Sequence, residues 1–375
     1  MITLFQSLAS LLKLKPICVD NNVFRLHYKF TVGVLLCFCI TVTCYQFFGD
    51  PIKCLKGNVR QEALETFCWI HYTYSLPEAF HKTYPEVPYP GIENSLRKKK
   101  EKVYHKYYQW VCFVLFLQAL LFFIPHYVWK IWEGGKIKAI ILELDKPILS
   151  EETKEDNKNR LVKYLKDTRG LHSFYVIYFV ICETLNFVNT VGQLFLIDKF
   201  LGHAFLKYGT EILEHTNVYP DDPLDGTNPM MILFPKMAKC LFHSIGSGGS
   251  IEDNDVMCIL PLNVINEKIY VFLWFWLIIL TTLTAIHLVY RFITMMSWQA
   301  RYISLSFKCK FVDRHSLLSV LQFCNFGDWF LLNLLSKNLE RYHFRDLIET
   351  LAKEFQTDGN EKLLEKGNGE KMKFP

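Results

Sequence analysis

Hydrophobic positions in this chain gather into four nearly uninterrupted stretches, Phe30–Phe48, Tyr107–Trp129, Ser173–Ile197 and Ile269–Tyr290, each of about 19 to 25 residues. At about 1.5 Å of helix rise per residue, each is long enough to cross a hydrocarbon layer of about 30 Å. A soluble core helix rarely runs beyond about 12–14 apolar residues without a polar face. Within them the only formal charge is Glu183 in the third. The pattern predicts four membrane-spanning helices. With four crossings, segments 49–106 and 201–268 share one side. Both termini and the segment between the second and third stretches share the other.

The polar stretches are patterned too. Leu4, Leu8, Leu11 and Leu12 recur at helical spacing ahead of Lys13 and Lys15, the reverse order of a cleaved signal peptide. That helix either lies on the inner membrane surface or folds into a pore mouth. Segment 49–106 is rich in proline and aromatics, which favours extended and turn structure over long helices. Pro125 should kink the second span. Gly134 and Gly135 break the chain before IKAIILEL, and Ser150 can cap a charged helix that runs on through RLVKYLKD. In the tail, Asp328 is placed to cap WFLLNLLSKNL, a further helix covers YHFRDLIETLAKEF, and the polar composition from Thr357 predicts disorder. The predicted plan is an N-terminal helix over 1–28 and spans over 29–48, 107–132, 173–200 and 269–296. Outer segments fill 49–106 and 201–268, an inner loop 133–172, and helices with a disordered end 297–375.

Charge orients this plan. Lys and Arg number 26 on the side of the termini and 14 opposite, which favours cytosolic termini. Arg97, Lys98, Lys99, Lys100 and Lys102 pull the other way. The cysteines side with the total. Of twelve, Cys54 and Cys68 fall in the first outer segment and Cys240 and Cys258 in the second, while the inner loop has none. That even split suits disulfides on an oxidising face. They can form two bridges within the segments, or two between them in either of two ways. Neither pair has zinc-ligand spacing, so no metal is expected.

Candidate chemistry is sparse. Glu183, Asn186, Thr190 and Gln193 lie three and four residues apart, on one face of the third span. A carboxylate there must face protein or water. Two readings stay open: hydrogen-bonding between helices, or a pore or gating surface. Glu183 and His287 are the ionisable groups in the third and fourth spans that a membrane enzyme could use. No HExxH, GxSxG or P-loop occurs, so neither catalysis nor a cofactor is expected. A net charge of +5 is too weak and dispersed for nucleic acid. No N-x-S/T glycosylation sequence occurs.

Several blocks resemble the innexins, the gap-junction proteins of invertebrates, in order over nearly the whole chain. The most specific is YYQWV at Tyr107–Val111. It is joined by DNNVFRLHY at Asp20–Tyr28, GDPIKC at Gly49–Cys54, FCWI at Phe67–Ile70, WEGG at Trp132–Gly135 and CETLNFVN at Cys182–Asn189. FPKMAKC at Phe234–Cys240, CILPLNVINEKIYVFLWFW at Cys258–Trp276 and GDWFLLNLLSKN at Gly327–Asn338 complete the series. Connexins differ in carrying three cysteines per outer loop.

The resemblance implies an all-α membrane protein: a four-helix transmembrane bundle with disulfide-linked outer loops and a helical cytoplasmic dome. It implies Cys54 bonded to Cys258 and Cys68 to Cys240, with Ile2, Thr3 and Leu4 lining a pore funnel. It implies a homo-oligomer, octameric as a hemichannel, that sits among membrane lipids of the plasma membrane at gap junctions. Such a hemichannel docks onto an opposing one, mixes with other innexins, and passes ions and small metabolites between cells. An undocked hemichannel and a non-conducting tetraspan adhesion protein are the alternatives. The stretch HSIGSGGSIEDNDVMC departs from the usual family form, nearer HKxGPSGSxQxHDxLC, which bears on docking; the insect-virus vinnexins are one source of such divergence.

Overall fold

The computed structural model describes residues 17–55, 61–82, 85–94, 101–141, 144, 151–218, 227–246, 248–308 and 312–371. Ile2, Thr3 and Leu4, the N-terminal leucine pattern, basic positions 97–100 and Ser150 lie outside these residues.

The elements follow in order: α1 (Asn22–Phe48), β1 (Lys53–Cys54), α2 (Gln61–His71), β2 (Thr73–Ser75), β3 (Val103–His105), α3 (Val111–Glu133), α4 (Lys136–Ile141), α5 (Glu151–Asp167) and α6 (Ser173–Phe200). Then come α7 (Phe205–Val218), α8 (Pro229–Leu233), β4 (Met237–Ile245), β5 (Ile251–Ile259), α9 (Pro261–Met296), α10 (Trp298–Lys308), α11 (Arg314–Phe323), α12 (Phe326–Asn338) and α13 (Arg341–Lys371). The protein is mostly helical, and α1, α3, α6 and α9 are each long and apolar enough to cross a membrane.

These four helices overrun the apolar stretches, because their ends are set by caps and not by hydrophobicity. Helix α1 starts at Asn22 and not Phe30, since the Asn21 side chain accepts a hydrogen bond from the Phe24 N–H at 2.6 Å. Tyr107–Gln109 form a 3₁₀ turn, so α3 begins at Val111; it continues past Pro125 to Glu133. There Gly134 and Gly135, both with positive φ, end it. Helix α9 opens on Pro261, whose missing N–H is harmless in a first turn, and it continues to Met296.

The chain divides into two compact units. One comprises 1–29, 123–187 and 283–375. Its core gathers around α12, where residues from Gly327 to Leu335 are all buried. A helix apolar on every side belongs inside a core. A Cβ on Gly327 would fall 2.6 Å from the backbone carbon of His172, so only glycine admits that close approach. Helix α4 packs on α12, and α13 on α11 and α5. The cap of α12 is Asn325 and not Asp328: Asp328 sits one turn in and accepts the Asn325 N–H at 3.2 Å. The same carboxylate meets His172 Nδ1 at 2.9 Å and accepts the Gly170 N–H at 3.0 Å, so it also anchors the approach to α6. Helix α13 runs on to Lys371, past the point where disorder was expected. That stretch mixes glycine with Glu, Lys and Leu, and the latter three favour helix intrinsically.

The other unit comprises 30–122 and 188–282. It holds a five-stranded antiparallel sheet of order β1-β5-β4-β2-β3, an addition to the helical plan. The β4–β5 hairpin dominates it, in register from Met237↔Ile259 to Ile245↔Ile251. Helix α2 interrupts the extended structure of 49–106; its buried residues are Leu64 and Cys68.

His105 on β3 is 6% exposed, with Nε2 2.8 Å from the Ser75 hydroxyl. Burial pushes its pKa from 6.5 down to about 4. The unfolded chain therefore binds a proton that the folded chain refuses. Stability from this group is complete above about pH 6.5 and is lost as pH falls toward about 4, on the order of 3 kcal/mol in all. Thermal unfolding in detergent should fall more steeply between about pH 7 and 4.5 for the native protein than for His105→Gln. Identical slopes would show that His105 is not the group titrating.

Candidate functional site

Two constructions stand out, one in each unit. In the sheet-bearing unit, Cys54 on β1 faces Cys258 on β5 across the ladder, and a disulfide joins them with Cα atoms 3.9 Å apart. A second disulfide runs from Cys68 on α2 to Cys240 on β4, Cα atoms 5.7 Å apart. All four cysteines are at most 4% exposed and form one core with Ile52, Leu64, Ala238 and Leu260. The Cys54 N–H donates to Glu65 Oε1 at 3.3 Å, which ties β1 directly to α2. Beside this core Lys239 and Asp255 form an ion pair with both side chains 7% exposed, and the Tyr74 hydroxyl donates to Asp255 at 2.9 Å. The sulfurs of Cys54, Cys68 and Cys258 lie within 4.8 Å of one another, but each is oxidised and offers no thiolate to a metal.

The second construction surrounds Glu183 on α6, 3% exposed. Arg291 on α9 donates to it twice, Nε to Oε2 at 2.9 Å and Nη2 to Oε1 at 2.8 Å. Asn21 Nδ2 donates to Oε1 at 2.5 Å, and His287 Nε2 stands 3.1 Å away. The Arg291 guanidinium also lies over the rings of Phe179 and Phe330, at 5.5 and 5.2 Å from their centroids. The carboxylate thus faces a paired cation within its own chain, one of the two ways such a group is tolerated in a span. Asn186, Thr190 and Gln193 share its helix face and are 2%, 0% and 1% exposed.

Arg291 and Asn21 do not stand out in the sequence. The apolar stretch stops one residue short of Arg291, which then reads as part of a basic tail. A signal does exist: Arg291 follows His287 by four residues, so the two share a face of α9. Asn21 lies within the DNNVFRLHY block, but its role depends on where α1 begins.

The family profile described as Innexin matches residues 20–355. Innexin inx2 of Drosophila melanogaster is 43% identical over 359 residues, covering 96% of this chain and 97% of the relative. Innexin inx2 of Schistocerca americana is 44% identical over 357 residues, covering 95% and 99%. Innexin shaking-B of Drosophila melanogaster is 41% identical over 354 residues, covering 94% of each.

If the Glu183 cluster holds helices together, its members are coupled. Arg291→Met alone leaves a carboxylate buried without its cation and should destabilise by about 3–5 kcal/mol. Adding Glu183→Leu should restore much of that loss. Thermal unfolding of both single variants and the double variant measures the coupling. Losses that simply add would rule it out.

Proposed function

This chain belongs to the innexin family, and on that premise we propose that it is one subunit of a large-pore gap-junction channel, with its termini in the cytosol and its disulfide-braced sheet outside. It is a channel-forming protein and not an enzyme. One subunit of four spans has an interior of packed side chains and cannot enclose a water-filled path. The path must therefore run through the centre of a ring with closed cyclic symmetry. Eight subunits to a ring, with Ile2, Thr3 and Leu4 at its mouth, is the arrangement that family membership favours. Two rings docked end to end would let ions and small metabolites move down their gradients between adjacent cells.

The observation that carries this reading is the pair of bridges Cys54–Cys258 and Cys68–Cys240. They join the two segments that four crossings place on one side, and disulfides persist on the oxidising side of a plasma membrane. The excess of Lys and Arg on the side of the termini supports the same orientation. A sheet locked by two covalent links is a rigid rim, the form needed to meet an opposing copy without first paying an ordering entropy.

Glu183 and its partners act in this scheme as an internal tie of the subunit, and solute passes elsewhere. Three side chains already engage the carboxylate through four contacts, which leaves it little capacity for a permeating ion.

A second reading is an undocked hemichannel that releases small molecules to the exterior. The departure of HSIGSGGSIEDNDVMC from the family form favours it, since that stretch includes the free end of the β4–β5 hairpin.

Paired-cell electrical recording with this chain expressed alone tests the proposal. Robust junctional conductance is expected, with its loss in Cys54→Ser while surface expression persists. Conductance unchanged in Cys54→Ser would count against the rigid rim. Dye uptake by single cells without transfer between pairs would select the hemichannel, and silence in both assays would select an adhesion role.

A further inference from the structure

Away from both constructions, the sheet-bearing unit contains an open cavity of about 860 Å³. That is within the range of about 300–1,000 Å³ typical of small-molecule sites. Its wall comes from β3 and the turn before α3, from the end of α6 with α7, and from α8. Val103, Tyr104, Leu201, Tyr208 and Ile232 make most of the apolar surface the argument needs. Three of them stay open to the outside: Val103 and Ile232 are 45% exposed and Tyr104 55%. The hydroxyl of Tyr208, a residue 1% exposed, finds no hydrogen-bond partner among the described residues.

Position and charge narrow the occupant. The cavity adjoins the last residue of one span, Phe200, and Tyr107, four residues before the first residue of another, Val111. Tyrosines at such places sit at the level of lipid headgroups. At the rim, Glu211 and Glu214 lie three apart on one face of α7 and are exposed, and neither makes an ion pair with a described residue. Lys106 supplies one positive charge nearby, its Nζ 5.2 Å from the centroid of the Tyr72 ring. Two carboxylates and one ammonium match a head that carries both signs, and they repel one that is only negative.

We propose that this cavity binds one zwitterionic phospholipid, its acyl chain along Val103, Tyr104, Leu201 and Ile232 and its head's ammonium group between Glu211 and Glu214. Lys106 then faces the phosphate. The inference goes beyond the channel reading and needs only the membrane spans.

The test uses the full chain in nanodiscs with two probes of identical photoreactive acyl chain, one phosphatidylcholine and one phosphatidylglycerol. The choline probe should label peptides of the cavity wall several-fold more than the glycerol probe. Glu211→Lys with Glu214→Lys changes only exposed positions and should reverse that preference. Ala204→Trp places an indole in the cavity wall, narrows the space for a lipid chain and should cut labelling by both probes several-fold. Thiol counts confirm that both disulfides persist in each variant. Equal labelling by the two heads, or labelling untouched by Ala204→Trp, overturns the proposal. So does cross-linking of the same wall to a second copy of the chain in place of lipid.

Discussion

Register in the five-stranded sheet depends on two covalent links, because little else there is long enough to hold it. Strand β1 has two residues and β2 and β3 have three each, whereas independent sheet stability needs several strands of about five or six. Only the β4–β5 hairpin reaches nine residues a side. Each of its strands is pinned by one disulfide, β5 to β1 and β4 to α2. A slip of one residue would turn Cys240 and Cys258 to the opposite face, away from their partners. The bridges close separations of 204 and 172 residues. For a free chain, loops that long would contribute roughly 5 kcal/mol each. Membrane insertion already holds the ends of these loops near one another, so the bridges serve geometry more than entropy.

The unit built around α12 solves a different problem. Here a buried charge is unavoidable, and it is balanced locally: Arg291 lies between Glu183 and two aromatic faces, while Asn21 supplies a neutral donor. Such a pair adds little net stability over apolar residues of equal volume, but removing one member is severe. What it does provide is register. Asn21, Glu183, His287 and Arg291 come from the start of α1, the middle of α6 and the end of α9, and only one relative placement satisfies all of them.

The parts of this protein legible in its sequence are those imposed by the membrane and by redox chemistry. A hydrocarbon layer demands long apolar runs, so the cores of all four long helices are visible from Phe30–Phe48 to Ile269–Tyr290. Helix ends are set by single polar atoms, which is why α1 begins at Asn22 and the α12 cap is Asn325. The sheet was not visible. Lys53–Cys54, Thr73–Ser75 and Val103–His105 are too short for alternation to register, and they become strands only by pairing with distant partners. Lys239 and Asp255 illustrate the limit: nothing in the sequence pairs them, yet their side chains are buried together because the hairpin joins their strands. The cavity beside α7 was equally hidden, since the wall from β3 belongs to a part of the chain far from α6, α7 and α8.

The hairpin also separates what must be constant from what can vary. Its covalent pins sit at Cys240 and Cys258, while the ladder continues to Ile245↔Ile251. Among the described residues no further strand pairs with the outer edges of 241–245 or 251–256. Ile245 and Ile251 are 81% and 77% exposed, large apolar side chains presented to solvent at the free end. Substitutions there change what the rim offers without disturbing the sulfur-bound core, because no buried contact of that core includes them. The stretch that departs from the family form, His243–Cys258, includes this free end and also runs back along β5 to the pinned cysteine. Asp255 and Cys258 within it are held by the buried ion pair and the disulfide, so changes of surface chemistry that leave the fold intact are confined to its exposed end.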